Sequence, residues 1–134
     1  MKNLYSKVGE MEFDGLVTDI NPAPVIHGGT IRKLGTAATL VRGTILAKSS
    51  GSAGDGKLVV LGNTAASNET LTADCILCDD VDVGTSDDVT VPVYFAGCFD
   101  PDKCTVKSGY TVTEDDRTAL RERGIIFKAA SAAN

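Results

Sequence analysis

Apolar and polar residues alternate most cleanly between Val89 and Phe99, where Val89, Val91, Val93 and Phe95 are interleaved with Thr90, Pro92 and Tyr94. A two-residue period is the mark of a half-buried strand. It predicts one apolar face turned to a core and a second face, with Thr, Pro and the Tyr hydroxyl, turned to solvent or a partner. Pro92 cannot donate to a ladder, which places the strand at an edge or a bulge. Gly97 ends the alternating run.

The shorter apolar runs upstream read as the rest of a sheet. Val25-Ile26 and Thr30-Ile31 are predicted strands separated by a turn at Gly28-Gly29, and Thr39 to Ala47 is a stronger strand prediction. Ser49 to Gly56, SSGSAGDG, is a low-complexity tip that reads as an exposed hairpin loop leading into Lys57 to Leu61. Leu58 to Leu61 is continuously apolar, so burial on both faces is expected there. Thr72 to Leu77 is a further strand that runs out at Asp79-Asp80, and Gly84 to Asp88 is the turn into Val89.

Beyond Phe99 the period changes. Asp100-Pro101-Asp102 is a turn signal, and Lys103 to Val112 is weakly extended. Thr113 then stands three residues before Asp116, with acids in the following turn, Arg121 and Arg123 near the end, and Gly124 as a stop. This pattern predicts a helix of about three turns. Ile125 to Phe127 resumes a strand that pairs back into the sheet, and the last six residues, AASAAN, read as a frayed end.

The N-terminal stretch lacks such patterning. Met1 to Val8 reads as a mobile arm when the protein is alone, and only a short strand is plausible between Glu10 and Ile20. Asn21-Pro22-Ala23-Pro24 favours an extended connection that projects the first twenty-odd residues away from the core. The expected division is therefore an arm and linker over 1–24 and a β-rich core domain over 25–134.

Composition narrows the function. With 134 residues the chain suffices for one domain. Its 14 glycines and 5% aromatic content suit short strands and many turns, hence a mainly β fold with a minor helix (α+β): a small sheet or barrel-like domain with a short C-terminal helix and an extended N-terminal arm. A net charge of −5 with scattered Lys and Arg argues against a nucleic-acid partner. No window reaches the length of a membrane span. The first residues, MKNLYSKVGEMEF, hold no apolar stretch of a secretion signal, so cytoplasmic synthesis and reduced cysteines are expected.

Candidate chemistry is thin. Cys75 and Cys78 form a C-x-x-C, which Cys98 and Cys104 would complete as a zinc site. Residues three apart on a strand point to opposite faces, however, so buried thiols are the expected state. A disulfide between Cys98 and Cys104 after lysis is the remaining alternative. His27, the only histidine, sits in the predicted turn and reads as a surface residue. The acidic runs at Asp79 to Asp82 and Asp87-Asp88 lack EF-hand spacing, and Gly54-Asp55-Gly56-Lys57 lacks the full phosphate-loop pattern. No catalytic residue, metal site or cofactor is expected.

Read as ordered landmarks, the chain from about Phe13 to Phe127 resembles the head decoration protein family of tailed bacteriophages. The landmarks are Arg42-Gly43-Thr44-Ile45-Leu46, the small-residue loop, Ala73-Asp74-Cys75-Ile76-Leu77, the strand ending Ala96-Gly97-Cys98-Phe99, and the helix Thr113 to Arg123 before Gly124-Ile125. Gly15-Leu16-Val17 is similar to the segment that longer members carry ahead of the core. The resemblance implies a homotrimer on the outside of an expanded icosahedral head, at three-fold positions, bridging subunits of the major capsid protein. It implies no enzymatic activity. It also implies an arm that adds to capsid β-structure, with Leu4, Tyr5, Met11, Phe13, Leu16 and Val17 as candidate contacts. Two other readings stay open: a head-tail or tail-tube component, and a zinc-binding module built on the cysteines.

Overall fold

The computed structural model describes residues 15–19 and 23–128. Among these residues nine strands and one α-helix follow in chain order, with a single 3-10 turn at Pro101–Lys103: β1 (Val17–Asp19), β2 (Val25–Ile31), β3 (Ala38–Leu40), β4 (Ile45–Ser50), β5 (Leu58–Val60), β6 (Thr70–Leu77), β7 (Val81–Val83), β8 (Val89–Phe99), α1 (Glu114–Arg123) and β9 (Ile125–Phe127). Strands β8, β2, β5, β4 and β6 pair in that order, and β6 returns to β8, so the five close into a small barrel. β1 and β9 flank the far end of β8, antiparallel and parallel to it. β3 and β7 form a separate two-stranded sheet.

Two cores result, one on each face of the barrel wall. All five barrel strands contribute to the inner core, with Ile31, Leu46, Leu58, Cys75, Leu77, Val91 and Val93. The outer core lies between the wall and its cover, joining Ile45, Ala47, Val59, Ala73 and Ile76 to Leu16 just ahead of β1, Val17 of β1, Leu120 of α1 and Ile125 of β9. Neighbours along β4, β5 and β6 therefore alternate between two dry interiors. That is why Leu58 to Leu61 is an apolar run without a polar face, and why Ala73 to Cys78 is buried throughout, its one charged residue, Asp74, being paired with Arg123.

The principal strand occupies the predicted span, but two of its expected features change. The alternation does send Tyr94 to the face opposite Val93. That face is covered rather than wet: Tyr94 is fully buried in the outer core, its ring 5.1 Å from that of Phe99. Arg42 Nη1 donates to its hydroxyl at 2.8 Å and to the Cys78 carbonyl at 2.8 Å. Pro92 lies inside a strand with neighbours on both sides, yet one residue past the pairing of Val93 with Leu77. Its carbonyl accepts the Cys78 N–H at 3.2 Å, so the missing donor faces the side on which β6 has just ended.

The glycines mislead in both directions. Gly28-Gly29 is not a turn, since β2 runs straight through it in register with Pro92 and Val91. A Cβ at position 29 would stand 2.7 Å from Leu58 Cδ1 and 3.2 Å from Val93 Cγ2, so glycine is present because the barrel interior closes on that backbone. Conversely, the expected single strand Thr39 to Ala47 breaks at Gly43, whose φ of +95° separates β3 from β4. Side-chain pattern does not encode such a reversal.

The helix follows its signals closely. Thr113 Oγ1 accepts from the Asp116 N–H at 3.1 Å, and Asp116 Oδ2 accepts from the Thr113 N–H at 3.0 Å, a complete capping box. Gly124, at φ +106°, ends the helix and its N–H bonds back to the Arg121 carbonyl. Arg123 in the last turn pairs with the buried Asp74 carboxylate of β6, fixing the helix on the barrel.

Candidate functional site

Of the arm residues named from the sequence, Leu4, Tyr5, Met11 and Phe13 lie outside the described residues, as do the stretch Met1 to Val8 and the AASAAN tail. Leu16 and Val17 are described, and at 1% and 6% exposure both belong to the outer core. Part of the stretch expected as arm and linker is thus strand β1. Val17 pairs with Phe99 and Asp19 with Cys98, the Leu16 carbonyl accepts the Asp100 N–H at 2.8 Å, and Lys128 Nζ lies 3.0 Å from Asp19 Oδ2. The domain itself occupies these two side chains, which makes them a root for whatever precedes Gly15.

A second surface begins just after that root. Residues 23–31 and 89–99, which include the whole β2–β8 ribbon, contain no Asp, Glu, Lys or Arg, although charged residues make up 23% of the chain. Val25 and Ile26 are 42% and 48% exposed, and Gly28, Thr90 and Pro92 are exposed beside them. His27 belongs to this ribbon, in β2 rather than in the predicted turn, and its ring stacks on Phe95 at 5.1 Å. An uncharged strip with exposed aliphatic side chains suits a protein partner, whereas phosphate binding needs a basic one.

At the upper end of β2 lies an ionic cluster that sequence reading missed. Arg32 donates from Nε and Nη2 to both oxygens of Asp55, at 3.0 and 2.9 Å, and its Nη2 lies 2.6 Å from Glu69 Oε2. The Glu69 side chain is 4% exposed and also accepts from the Ala66 N–H and the Ser49 hydroxyl. These bonds, led by that of Ala66, hold the Glu69 carboxyl down to about 2, and the Arg32 fork holds Asp55 down to about 2. The cluster ties the β4–β5 loop and the segment before β6 to β2. Ser49, expected as the start of an exposed tip, is consequently buried in β4. Nothing local to Arg32 announces partners that lie 23 and 37 residues away.

The remaining candidates find structural uses. Cys75 belongs to the inner core and Cys78 to the outer, on opposite faces as their spacing predicts. Burial pushes the Cys78 and Cys104 thiols up to about 12 and raises that of Cys75 as well, which suits inert packing residues. All four cysteines are free thiols. Among the described residues no three His, Cys, Asp or Glu side chains are grouped to hold a metal ion. Asp80 accepts from the Arg42 N–H, Asp82 from the Thr39 hydroxyl and Asp88 from the Lys33 N–H, so the acidic runs tie loops together.

The arrangement thus offers surfaces for a macromolecule and a root for an arm. A search of curated proteins returns no match. A family model described as Bacteriophage lambda head decoration protein D matches residues 25–126, from the start of β2 into β9. The chain belongs to that family, whose members are structural proteins of the phage head associated with the major capsid protein.

Proposed function

We propose that this head decoration protein acts as a homotrimer on the outer surface of the expanded icosahedral head, at three-fold positions, where it bridges neighbouring major capsid protein subunits and stabilises the shell. The family match over residues 25–126 carries this reading. The role is mechanical and the protein is not an enzyme. It is made in the cytoplasm of the bacterial host and ends on the virion.

The residues ahead of Gly15 act as the clamp. Leu4, Tyr5, Met11 and Phe13 supply side chains to the shell, while the burial of Leu16 and Val17 gives the arm a fixed origin. Ordering an arm costs about 1–2 kcal/mol of backbone entropy per residue. Main-chain bonds to a capsid sheet edge, with pockets for alternate side chains, offset that cost. Three arms on one trimer multiply weak single contacts, because the second and third bind at an effective concentration of order millimolar. A three-fold site and a three-fold oligomer also satisfy one another by symmetry.

Light scattering of the protein, alone and with purified expanded shells, tests this. The expected result is a trimer that binds shells and loses binding when residues 1–14 are deleted. A monomer at high concentration, or a larger ring that ignores shells, would overturn it in favour of a head-tail or tail-tube component.

A further inference from the structure

Among the described residues, β2 has little company on one of its sides. It pairs with β8 along its whole length from Val25 to Ile31, but on the other side meets β5 only where Ile31 lies opposite Leu58. Pro92 shows which backbone groups are left over. Its carbonyl bonds to Cys78 on the β6 side, and the N–H and C=O positions of a strand residue point the same way, so both are turned away from β2. Gly28, directly opposite Pro92, is therefore in a pair that exchanges no hydrogen bonds, and its own N–H and C=O point away from β8.

Alternation carries that direction to Ile26 and Thr30. Arg32 fits the same phase, since its N–H bonds to the Leu58 carbonyl at 2.9 Å on the β5 side. Among the described residues, Ile26 and Gly28 thus present free N–H and C=O groups along an open strand edge. Along this stretch Val25, Ile26 and His27 have exposed side chains and Gly28 has none. Native proteins usually blunt such an edge with charge or proline. None occurs between Val25 and Ile31.

We propose that the open edge of β2, from Ile26 to Thr30, is a receptor for an extended, uncharged strand of the major capsid protein. This rests on the decoration role proposed above and adds to the arm a second point of attachment, in which the shell contributes the strand and this domain the sheet. Position favours that occupant. As the chain runs from Val17 to Thr30, its partners on β8 run from Phe99 to Thr90, so the arm's root and the β2 edge follow one line along β8. Pairing of β2 with the β2 of a second copy would be two-fold and would close at a dimer, which a three-fold site does not use.

Residue-resolved hydrogen exchange is the test, supported by two variants. In the free protein the Ile26 and Gly28 amides should exchange fast while those of His27 and Gly29, bonded to β8, exchange slowly. On expanded shells the Ile26 and Gly28 amides should become protected. Ile26→Pro removes one outward donor without touching the β8 ladder and should weaken shell binding about tenfold, the scale of one lost hydrogen bond. Ile26→Val keeps the donor and should bind within about twofold of the parent.

Unchanged exchange at Ile26 and Gly28 on shells, with Ile26→Pro binding normally, would overturn the edge proposal and leave the arm reading intact if deletion of residues 1–14 still abolishes binding. A protein that binds no shells at all would overturn both. A solution dimer dispersed by Ile26→Pro would make a second copy the occupant and overturn the capsid assignment. Should Ile26→Pro fail to fold, exchange in the parent protein decides.

Discussion

β2 and β6 both run antiparallel to β8 and meet it at the same two residues, Val93 and Tyr94, yet β6 buries every residue from Ala73 to Cys78 while β2 leaves Val25 to Gly28 exposed. The covered side is backed by β4, α1, β1 and β9, and both β4 and β6 face two cores. The open side has one core, one bare face and one bare edge. Stability is concentrated on the first side, whose backbone and side chains are satisfied internally. The second retains unused hydrogen-bonding groups and apolar surface, which are what a partner needs.

The contrast should be plainest in the cost of truncation. Leu77→Ala removes a fully buried side chain from the inner core and is expected to lower the unfolding free energy by about 2–5 kcal/mol in denaturant titration. Ile26→Ala, on the open side, should change it by no more than about 0.5 kcal/mol. Equal costs would show that the open strand is as load-carrying as the covered one.

The two adjacent glycines sharpen the point within a single strand. Gly29→Ala drives a methyl group toward Leu58 and Val93 and should cost about 1–3 kcal/mol through overpacking. Gly28→Ala meets only Thr90 Cγ2 at 3.7 Å, and should be neutral or stabilising by about 0.4–1 kcal/mol. Melting curves of the pair decide whether the two faces of β2 differ as described.

On the covering helix, Thr113→Ala removes half of the capping box and should cost about 1 kcal/mol in the same titration. Shell binding should be unaffected at temperatures where the variant is folded, because the helix lies on the covered side.

The cluster joining the two sides is read from the pH dependence of stability. Glu69 and Asp55 are each held down to about 2 when folded, against about 4 in an unfolded chain. Carboxyl groups depressed by folding contribute stability that is fully present above their unfolded values and is lost as pH falls toward the folded ones. Stability measured from pH 7 downward should stay level to about pH 5 and then decline toward pH 2. Arg32→Ala should make that decline shallower, and an unchanged profile would show that the cluster does not couple the β4–β5 loop to β2.

Much of this molecule is determined locally. The helix from Thr113 to Gly124 is fixed by a cap, a stop and a charge gradient that all lie within it, and the strand Val89 to Phe99 by its own period. The doubly buried run Leu58 to Leu61 also announces itself, because a strand facing two interiors is apolar throughout, whereas Asp74 within the equally buried run Ala73 to Cys78 is accommodated only by its pairing with Arg123. Other features depend on what the chain folds against. A period of two says that Tyr94 and Val93 face opposite ways, but only the outer core makes both directions dry. Gly29 is read as a turn residue until the Leu58 side chain of neighbouring β5 is placed against it, and Arg32 has no partner until the loops bring Asp55 and Glu69 to it. The open edge of β2 is likewise decided at a distance: β5 ends its contact at Leu58 and Pro92 sets the direction of the ladder, and no residue within β2 records either fact.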